Sequence, residues 1–385
     1  MKDFLPFHRS DVGEEEVAEV VEVLRSGWLT TGPKVREFER EFAAMVGAQH
    51  AIAVNSCTAA LHLALEAIGI REGDEVLVPT MTFAATAEVV TYFKAKPVLL
   101  DCTEDTLNLN TDLIEKAISK RTKAIIPVHF AGHPCDLKPI HALAKANNLH
   151  VIEDAAHALP ARYHGKMIGG ISDITCFSFY ATKNITTGEG GMITTDNAEW
   201  AARMRMMSLH GLSRDAWNRY SSQGSWYYEI LSPGFKYNLT DIAAALGLAQ
   251  LKKCDRFWKG REQYAARYRE GFKDLPEVIC PQVAAHVQHA WHLYVIQLEL
   301  DRLQISRDEF IRQLQQAGVG CSVHFIPLHL HPYHRDMGGY RPEDFPVSSG
   351  VFQRIVSLPL YSKMTEDEID RVIEIVRELV RRNRR

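Results

Sequence analysis

The sequence predicts an α/β protein built on an open, mostly parallel β-sheet. Short apolar runs alternate with helix-length amphipathic stretches between residues 50 and 200, which is typical of parallel strands covered by helices. Hydrophobic residues make up 46% of the chain and charged residues 24%, values that are ordinary for a globular protein. A length of 385 residues is enough for two or three domains.

Seven short apolar segments are the predicted strands of this sheet: 51–54, 75–79, 97–100, 124–128, 151–153, 175–179 and 191–195. Helices are predicted between them at 59–68, 111–119 and 137–147. The second of these has a predicted cap at Thr111 and an acidic first turn. The segment 209–236 is rich in Ser, Gly, Trp and Tyr and has no clear period, so we expect a long loop there.

The C-terminal part of the chain predicts a second, smaller α+β domain. A periodic helix runs from Asp241 to about Tyr268 and leads into it. Two predicted strands and two predicted helices follow, at 291–298, 322–325, 307–317 and 366–380. We therefore predict a large domain at 1–250, with an N-terminal arm, and a small C-terminal domain at 251–385.

Charge and composition argue against several classes of protein. The net charge of −4 provides no broad basic surface for nucleic acid, and no uncharged run is long enough to span a membrane. The N-terminus has neither the basic nor the apolar region of a signal peptide. Seven cysteines occur singly, without a C-x-x-C pair, which predicts neither a disulfide framework nor a zinc site. We therefore expect a cytoplasmic protein without nucleic-acid or membrane partners.

Small polar residues follow the first predicted strand, at the start of the first predicted helix. The segment reads Asn-Ser-Cys-Thr-Ala at 55–59. A helix N-terminus carries partial positive charge and free N–H groups, so this turn could bind a phosphate. Alternatively, Ser56 and Thr58 only cap the helix. Because no G-x-G-x-x-G or P-loop motif is present, a dinucleotide fingerprint is disfavoured.

A second polar cluster comes at the end of the predicted strand 151–153, where Glu153 and Asp154 precede His157. Ligands in open α/β sheets bind beyond the carboxyl ends of the strands. An acid there could hold a protonated ring nitrogen, bind a metal, or merely cap the next turn. A metal would need more ligands than the nearby Tyr163 and His164 supply.

Lys183 lies in a turn that joins two apolar strands, within Phe-Ser-Phe-Tyr-Ala-Thr-Lys-Asn-Ile-Thr-Thr-Gly-Glu-Gly-Gly at 177–191. A lysine in a turn is usually a solvated surface charge. Here the aromatic residues before it and the glycines after it favour burial and close backbone approach. A desolvated lysine has a lowered pKa and can form a Schiff base.

Four histidines occur between residues 323 and 334. Their spacing matches no zinc motif and two prolines interrupt the segment, so we predict no metal site. Taken together, the phosphate turn, the acid at 154 and the lysine at 183 are the anchors that pyridoxal 5′-phosphate (PLP) requires. The helix terminus would bind its phosphate, the carboxylate would keep its pyridine nitrogen protonated, and the lysine would form the Schiff base.

The sequence resembles the DegT/DnrJ/EryC1/StrS family, the PLP-dependent nucleotide-sugar aminotransferases that share the aspartate-aminotransferase fold, fold type I. The matching segments are FLPF at 4–7, SGWLTTGP at 26–33, EDAAH at 153–157, the lysine segment at 177–191, KYNLTD at 236–241 and VHF at 323–325. This resemblance covers nearly the whole chain. The lysine segment is its most specific part.

The resemblance implies particular roles at the matching cofactor positions. Lys183 would be the Schiff-base lysine and proton shuttle, and Asp154 the partner of the pyridine nitrogen. Phe83 would cover the cofactor ring and His157 would lie near its phenolic oxygen. The residues implied to hold the phosphate are Thr58, Ala59 and Ser178, with Asn238 from the neighbouring subunit.

The resemblance also implies a substrate pocket and an assembly. The residues implied to line the sugar-nucleotide pocket are Phe7, Trp28, Thr30, Ser56 and His324. Because Asn238 would act across an interface, a homodimer with shared active sites is implied, and the aromatic loop 217–237 would belong to the substrate rim. Two segments depart from the family pattern: Cys57 replaces a common Gly or Ala, and 326–329 lacks an arginine of the aminoarabinose enzymes.

The implied reaction is transamination of a 4-keto nucleotide sugar, UDP-linked, with L-glutamate as amino donor. Within the family, the sequence resembles the UDP-4-amino-4-deoxy-L-arabinose aminotransferases and those that make 4-amino-4,6-dideoxy N-acetyl sugars. One alternative is a sugar 3-ketotransaminase or a 3-dehydrase of the same fold, although the dehydrases have histidine where this chain has Lys183. Another is a non-catalytic regulator that binds PLP or a sugar nucleotide.

Overall fold

The computed structural model describes residues 4–213 and 227–385. The strands in these residues are β1 (His50–Val54), β2 (Glu75–Pro79), β3 (Lys96–Leu100), β4 (Thr122–Ile125), β5 (His150–Asp154), β6 (Arg162–Tyr163), β7 (Lys166–Met167), β8 (Ile174–Ser178), β9 (Gly191–Thr195), β10 (Val278–Ile279), β11 (Val287–Gln288), β12 (Tyr294–Leu298) and β13 (Ile355–Leu358). The helices are α1 (Glu14–Ser26), α2 (Pro33–Val46), α3 (Cys57–Ala67), α4 (Ala85–Thr91), α5 (Ile114–Ala117), α6 (Leu137–Asn147), α7 (Ala198–Met207), α8 (Asp241–Lys252), α9 (Cys254–Phe272), α10 (Arg307–Gln316), α11 (Pro332–Gly338), α12 (Pro346–Phe352) and α13 (Glu366–Asn383).

A large, mainly parallel sheet organises the molecule. Within the described residues it has seven strands in the order β1-β9-β8-β5-β4-β2-β3. Neighbours from β8 through β5, β4 and β2 to β3 are parallel, whereas β9 is antiparallel to both β1 and β8. Every strand of this sheet overlaps one of the seven segments predicted from the sequence, although β4 ends at Ile125 and not at residue 128. The predicted α/β fold class is therefore confirmed.

Alternate residues of each strand pack against different helices, since successive side chains point to opposite faces. In β1, Ile52 joins an apolar cluster with α3, α4 and α7, while Ala51 and Ala53 join another with α2, α6 and α8. The result is a three-layer arrangement, with helices covering both faces of the sheet. Strands that are buried on both faces have the near-continuous apolar sequence that made them predictable.

A smaller sheet has three strands in the order β10-β12-β13. It packs against α9, α10 and α13, and together they form a separate apolar cluster. Leu5, from the beginning of the chain, is buried in the same cluster. The C-terminal residues thus have a core of their own, as expected for an α+β unit. The predicted boundary at residue 250 stays a prediction. None of the helices in the described ranges is both long and apolar enough to cross a membrane.

Three predicted elements were wrong in detail. The helix predicted from residue 241 to 268 is two helices, α8 and α9, separated at Lys253. Their combined sequence keeps a helical period, but α8 packs in the core of the large sheet while the second half of α9 packs in the C-terminal core. The first half of α9 still contacts the core of the large sheet, through Cys254 and Phe257, so this helix contributes to both cores.

The segment 322–325 is not a strand, because Ser322 makes only an isolated bridge to Ser357. The helix predicted at 111–119 is a 3₁₀ turn followed by the short α5. Its cap is the Asn110 side chain, which accepts a hydrogen bond from the Asp112 N–H, so the predicted cap at Thr111 was wrong.

Helices α1 and α2 were not predicted from the sequence, although α2 carries clear signals. Proline is its first residue and Gly47, with a φ of 79°, ends it in the left-handed conformation. The Asp241 carboxylate supplies the N-terminal hydrogen bonds of α2. Its Oδ1 accepts from the N–H groups of Gly32 (2.7 Å) and Val35 (3.0 Å), and its Oδ2 accepts from that of Lys34 (3.2 Å).

We predict that Asp241→Ala lowers the free energy of unfolding by about 1–3 kcal/mol, because it leaves N–H groups at a buried helix start without an acceptor. The measurement is urea denaturation of the variant and of the parent protein. The exposed Asp301 provides the matched control, and Asp301→Ala should change the stability by less than about 0.5 kcal/mol. Equal stability of the Asp241→Ala variant and the parent would contradict the capping role.

Candidate active site

A cavity of about 380 Å³ opens at the carboxyl ends of the parallel strands of the large sheet. This is where open α/β sheets bind ligands. Elements far apart in the chain enclose it: the turns after β1, β5 and β8, the N-terminal segment, and the segment between α10 and β13. The predicted site residues that line it are Phe7, Ser56, Thr58, Phe83, Asp154, His157, Ser178, Lys183 and His324.

The turn after β1 brings the N-terminus of α3 to the cavity. Ser56 caps the helix, since its Oγ accepts a hydrogen bond from the Ala59 N–H at 3.1 Å. This cap at Ser56 is compatible with an anion site, because Cys57 and Thr58 in the first turn face the cavity. Gly191 packs directly under this turn. A Cβ at Gly191 would lie 2.5 Å from the Ser56 carbonyl oxygen, so only glycine fits there.

Asp154 ends β5 with its carboxylate buried at the cavity wall. Its Oδ2 accepts a hydrogen bond from the Thr86 hydroxyl (2.8 Å), and its Oδ1 accepts one from the Ala156 N–H (3.1 Å). Burial raises the pKa of Asp154, and the two hydrogen bonds and Lys183 only partly oppose this rise. A cationic group next to Asp154 would stabilise its ionised form.

The other acid of the pair, Glu153, points away from the cavity. Its carboxylate is fully buried and accepts hydrogen bonds from His129 Nε2 (2.7 Å) and the Thr175 hydroxyl (3.2 Å). Burial raises the pKa of Glu153, but His129 and a hydrogen bond from Ser172 outweigh this effect, so the pKa lies below its usual range. Glu153 therefore stabilises the sheet, and only Asp154 of the two acids faces a ligand.

Lys183 projects from the turn after β8 into the cavity. Burial lowers its pKa from 10.5 to about 8, although the neighbouring Cys57 and Asp154 act in the opposite direction. Desolvation disfavours the ammonium form, and a larger fraction of the amine is consequently neutral near pH 7 than for an exposed lysine. The interpretation of Lys183 as a solvated surface charge was wrong.

His157 has a polar atom that no described residue satisfies. Its ring centroid is 4.3 Å from that of His292 and it stacks on Phe325 at 5.8 Å. The Nδ1 atom is buried without a hydrogen-bond partner among the residues of the two described ranges. Burial, Lys183 and His324 lower the pKa of His157 well below its usual range. Such an atom is normally satisfied by a ligand or water.

Aromatic residues form the remaining wall of the cavity. Phe83 is 64% exposed, although it is large and apolar, and it lies against Phe325 at 6.1 Å between ring centroids. His324 stacks on Phe7 with a centroid distance of 5.5 Å, and its Nδ1 is 2.9 Å from the Ser357 hydroxyl. An exposed ring at the cavity mouth provides a surface on which a flat ligand can stack.

Four predicted site residues do not line the cavity of a single chain. Ala59 is buried inside α3. Trp28 and Asn238 both contact Thr31 instead: Trp28 Nε1 donates to its carbonyl oxygen, and Asn238 Nδ2 donates to its Oγ1. The Thr30 carbonyl oxygen accepts from the N–H of residue 241. Within the aromatic loop 217–237, residues 217–226 lie outside the described residues.

Sequence reasoning missed three residues of the cavity wall. Thr86 binds Asp154, His292 stacks on His157, and His8 lines the cavity beside the lysine turn. Thr86 lies in α4, beyond the turn that follows β2, in a part of the chain for which no element was predicted. For His8 and His292 no local pattern exists, because their neighbours in space are distant in the chain.

The chemistry of this cavity fits PLP. It contains an amine with a lowered pKa, a buried carboxylate that a cation would stabilise, a helix N-terminus for a phosphate, and a buried histidine nitrogen without a partner. The groups stand on separate elements around one space, so a single ligand can contact all of them.

The profile of the DegT/DnrJ/EryC1/StrS aminotransferase family matches residues 10–377. The chain belongs to this family. It is therefore a PLP-dependent aminotransferase, as the cavity chemistry indicates.

Relatives and solved structures narrow the activity to sugar transamination. The spore coat polysaccharide biosynthesis protein SpsC of Bacillus subtilis is 52% identical over 379 residues, which is 98% of this chain and 97% of SpsC. A Streptococcus pneumoniae structure assigned as a sugar aminotransferase, in its pyridoxamine phosphate form, is 35% identical, covers 98% of both chains and has a TM-score of 0.92. Helicobacter pylori PseC, an aminotransferase involved in pseudoaminic acid biosynthesis, is 27% identical, with 99% and 100% coverage and a TM-score of 0.91.

The lowered pKa of Lys183 predicts a pH-dependent contribution to stability in the cofactor-free aminotransferase. The folded protein holds the Lys183 proton with a pKa of about 8, whereas the unfolded chain holds it at the ordinary 10.5. Between these values the unfolded chain binds more protons, so the free energy of unfolding due to this lysine rises with pH. The rise should amount to about 3 kcal/mol, at about 1.4 kcal/mol per pKa unit.

Chemical denaturation at pH 7.5 and pH 10.5 measures this contribution. The stability of the parent protein relative to Lys183→Met should increase between the two pH values. Lys166→Met, at an exposed lysine, serves as the control and should give parallel curves. Parallel curves for Lys183→Met as well would show that Lys183 is not desolvated.

Proposed function

We propose that this aminotransferase transfers the amino group of L-glutamate to the 4-keto carbon of a UDP-linked sugar. The observation that carries the proposal is the convergence of Lys183 and Asp154 on one cavity, together with the lowered pKa of the lysine. When bound, PLP supplies an electron sink that stabilises negative charge on the carbon next to the amine.

Each anchoring residue has a separate role in this proposal. Asp154 holds the pyridine nitrogen in its protonated form, with its own orientation fixed by Thr86. Thr58, Ser178 and the first turn of α3 bind the phosphate group. His157 uses its unpartnered nitrogen to bind the phenolic oxygen, and Phe83 covers the ring face.

Lys183 acts as the proton carrier. With a pKa of about 8, roughly a tenth of the free amine is neutral at pH 7, which is far more than for an exposed lysine. A neutral amine can accept the proton from the glutamate Cα, and the resulting ammonium would deliver it to the C4′ carbon of the bound cofactor. The second half of the transamination reverses these steps on the keto sugar.

The sugar-nucleotide assignment has three supports. The chain belongs to a family of sugar aminotransferases, and SpsC and PseC are named for polysaccharide and pseudoaminic acid biosynthesis. The segment resemblance to enzymes of 4-amino sugars favours a 4-keto substrate. The aromatic wall around His324 and Phe7 offers apolar surface to the sugar and excludes water.

We further propose a homodimer in the cytoplasm that shares its active sites between subunits. Trp28, Thr30 and Asn238 match the family's site positions but lie outside the cavity of their own chain, as expected for residues that serve a second copy. Within the described ranges, the cavity lining includes no arginine. The diphosphate of a sugar nucleotide would therefore need cationic partners from other parts of such a dimer. All seven cysteines are free, in keeping with a reducing compartment.

A panel of UDP-, dTDP- and GDP-linked keto sugars tests the substrate assignment. With glutamate as donor, 2-oxoglutarate release should be fastest with a UDP-linked 4-keto sugar. Activity confined to 3-keto sugars would contradict the regiochemical part of the proposal, whereas equal rates with all three nucleotides would contradict only the UDP preference.

We predict that Lys183→Ala lowers turnover by about 10²–10⁴-fold or more, because proton transfer at the glutamate Cα loses its carrier. The measurement is single-turnover 2-oxoglutarate formation by protein loaded with PLP. Lys166→Ala, at an exposed lysine, should retain the parent rate. Undiminished turnover in the Lys183→Ala variant would exclude Lys183 as the proton carrier.

A further inference from the structure

The N-terminal segment 5–10, here called the strap, connects the C-terminal core to the lysine turn. It begins paired like a strand: the Leu5 N–H donates to the Gly318 carbonyl oxygen (2.9 Å), and the Gly320 N–H donates to that of Leu5 (2.8 Å). A Cβ at Gly320 would lie 2.6 Å from the Phe7 nitrogen, so the strap runs in close contact with this segment. One end of the strap is thereby fixed.

The other end of the strap binds a single carbonyl group beside the lysine. His8 Nε2 and Ser10 Oγ lie 3.1 Å and 2.8 Å from the Ala181 carbonyl oxygen. A carbonyl oxygen only accepts hydrogen bonds and has two lone pairs, so it accepts from both side chains. The proton of the neutral His8 ring must then be on Nε2.

Ala181 lies in the backbone turn that carries Lys183. The Lys183 N–H donates to the Tyr180 carbonyl oxygen at 2.9 Å, which closes a β-turn over residues 180–183. The hydrogen bonds from His8 and Ser10 to the Ala181 carbonyl oxygen therefore tie this turn, which carries Lys183, to the strap.

His8 is suited to this task over a wide range of pH. Burial and the buried guanidinium of Arg261 lower its pKa to about 4, although the hydrogen bond to residue 181 acts in the opposite direction. The ring therefore stays neutral and keeps its donor at neutral pH. Its edge packs on Tyr361, with 5.8 Å between ring centroids, which restricts rotation of the imidazole.

We propose that His8 and Ser10 are positioning residues for Lys183: from the strap they anchor the turn that carries this lysine and so hold its amine in the cavity. The proposal deepens the proposed function, because it rests on Lys183 being the reacting amine. It also makes the first residues of the chain a working part of the active site, through a contact that spans more than 170 residues of sequence.

Amide hydrogen exchange of the cofactor-free protein provides the first test. Replacing both donors, as His8→Ala with Ser10→Ala, should accelerate exchange in the segment 179–190 by about tenfold, because the turn is no longer held. Arg9→Ala is the matched control: Arg9 lies between the two donors, is half exposed and reaches Glu368 at 3.7 Å, so exchange should stay at the parent rate.

The reactivity of Lys183 provides the second test. Its readout distinguishes loss of the hydrogen bond to Ala181 from a general loosening of the strap. In the parent protein, acylation of Lys183 should follow a titration with a midpoint near pH 8. The double variant should shift the midpoint upward, towards that of an exposed lysine. His8→Gln, whose amide can donate from nearly the same place as Nε2, should recover most of the parent profile, while His8→Ala should not.

Unchanged exchange and an unchanged midpoint in the double variant would overturn the proposal, as would failure of His8→Gln to differ from His8→Ala. Should the double variant not fold, Ser10→Ala alone removes one of the two hydrogen bonds and must show a smaller shift in the same direction. Both measurements use protein without cofactor or substrate. They therefore stand or fall separately from the sugar assignment and from the turnover of the Lys183→Ala variant.

Discussion

The burial of an amine beside a carboxylate is the interaction on which the site depends. Out of water, each charged form is disfavoured, and the pKa of Lys183 falls while that of Asp154 rises. Neither side chain would hold this place on a mobile loop. The cavity therefore requires a rigid frame, which the carboxyl edge of the parallel sheet provides, with β5 ending at the acid and β8 leading into the lysine turn.

The frame is built from parts that lie far apart in the sequence. Gly191, at the start of β9, allows the turn before α3 to approach closely, and this turn brings Ser56 and the helix N-terminus to the cavity. The C-terminal unit contributes His324, which packs against Phe7 of the strap. The large sheet thus supplies the polar anchors, whereas the C-terminal unit and the strap close the opposite side with aromatic and imidazole rings.

Much of the fold was predictable because its determinants are local. Strands buried on both faces must be apolar along their length, and all seven were found from that property. The errors have local causes too. A continuous period hid the break between α8 and α9 at Lys253, and the apolar residues at 322–325 pack around the cavity without joining a sheet ladder. Asp154 and Lys183 were identifiable because each follows a recognisable strand.

The sequence by itself determined the fold class, the order of the strands and the kinds of side chain that follow the carboxyl ends of the strands. These features depend on apolar periodicity and on adjacent residues, which are properties of short segments. Only the tertiary structure decided which groups meet. Thr86 on Asp154, His292 on His157 and the strap on Ala181 are contacts between segments that share no local pattern. Tertiary burial also decided the protonation chemistry, since desolvation of Lys183 depends on the packing of distant elements around it.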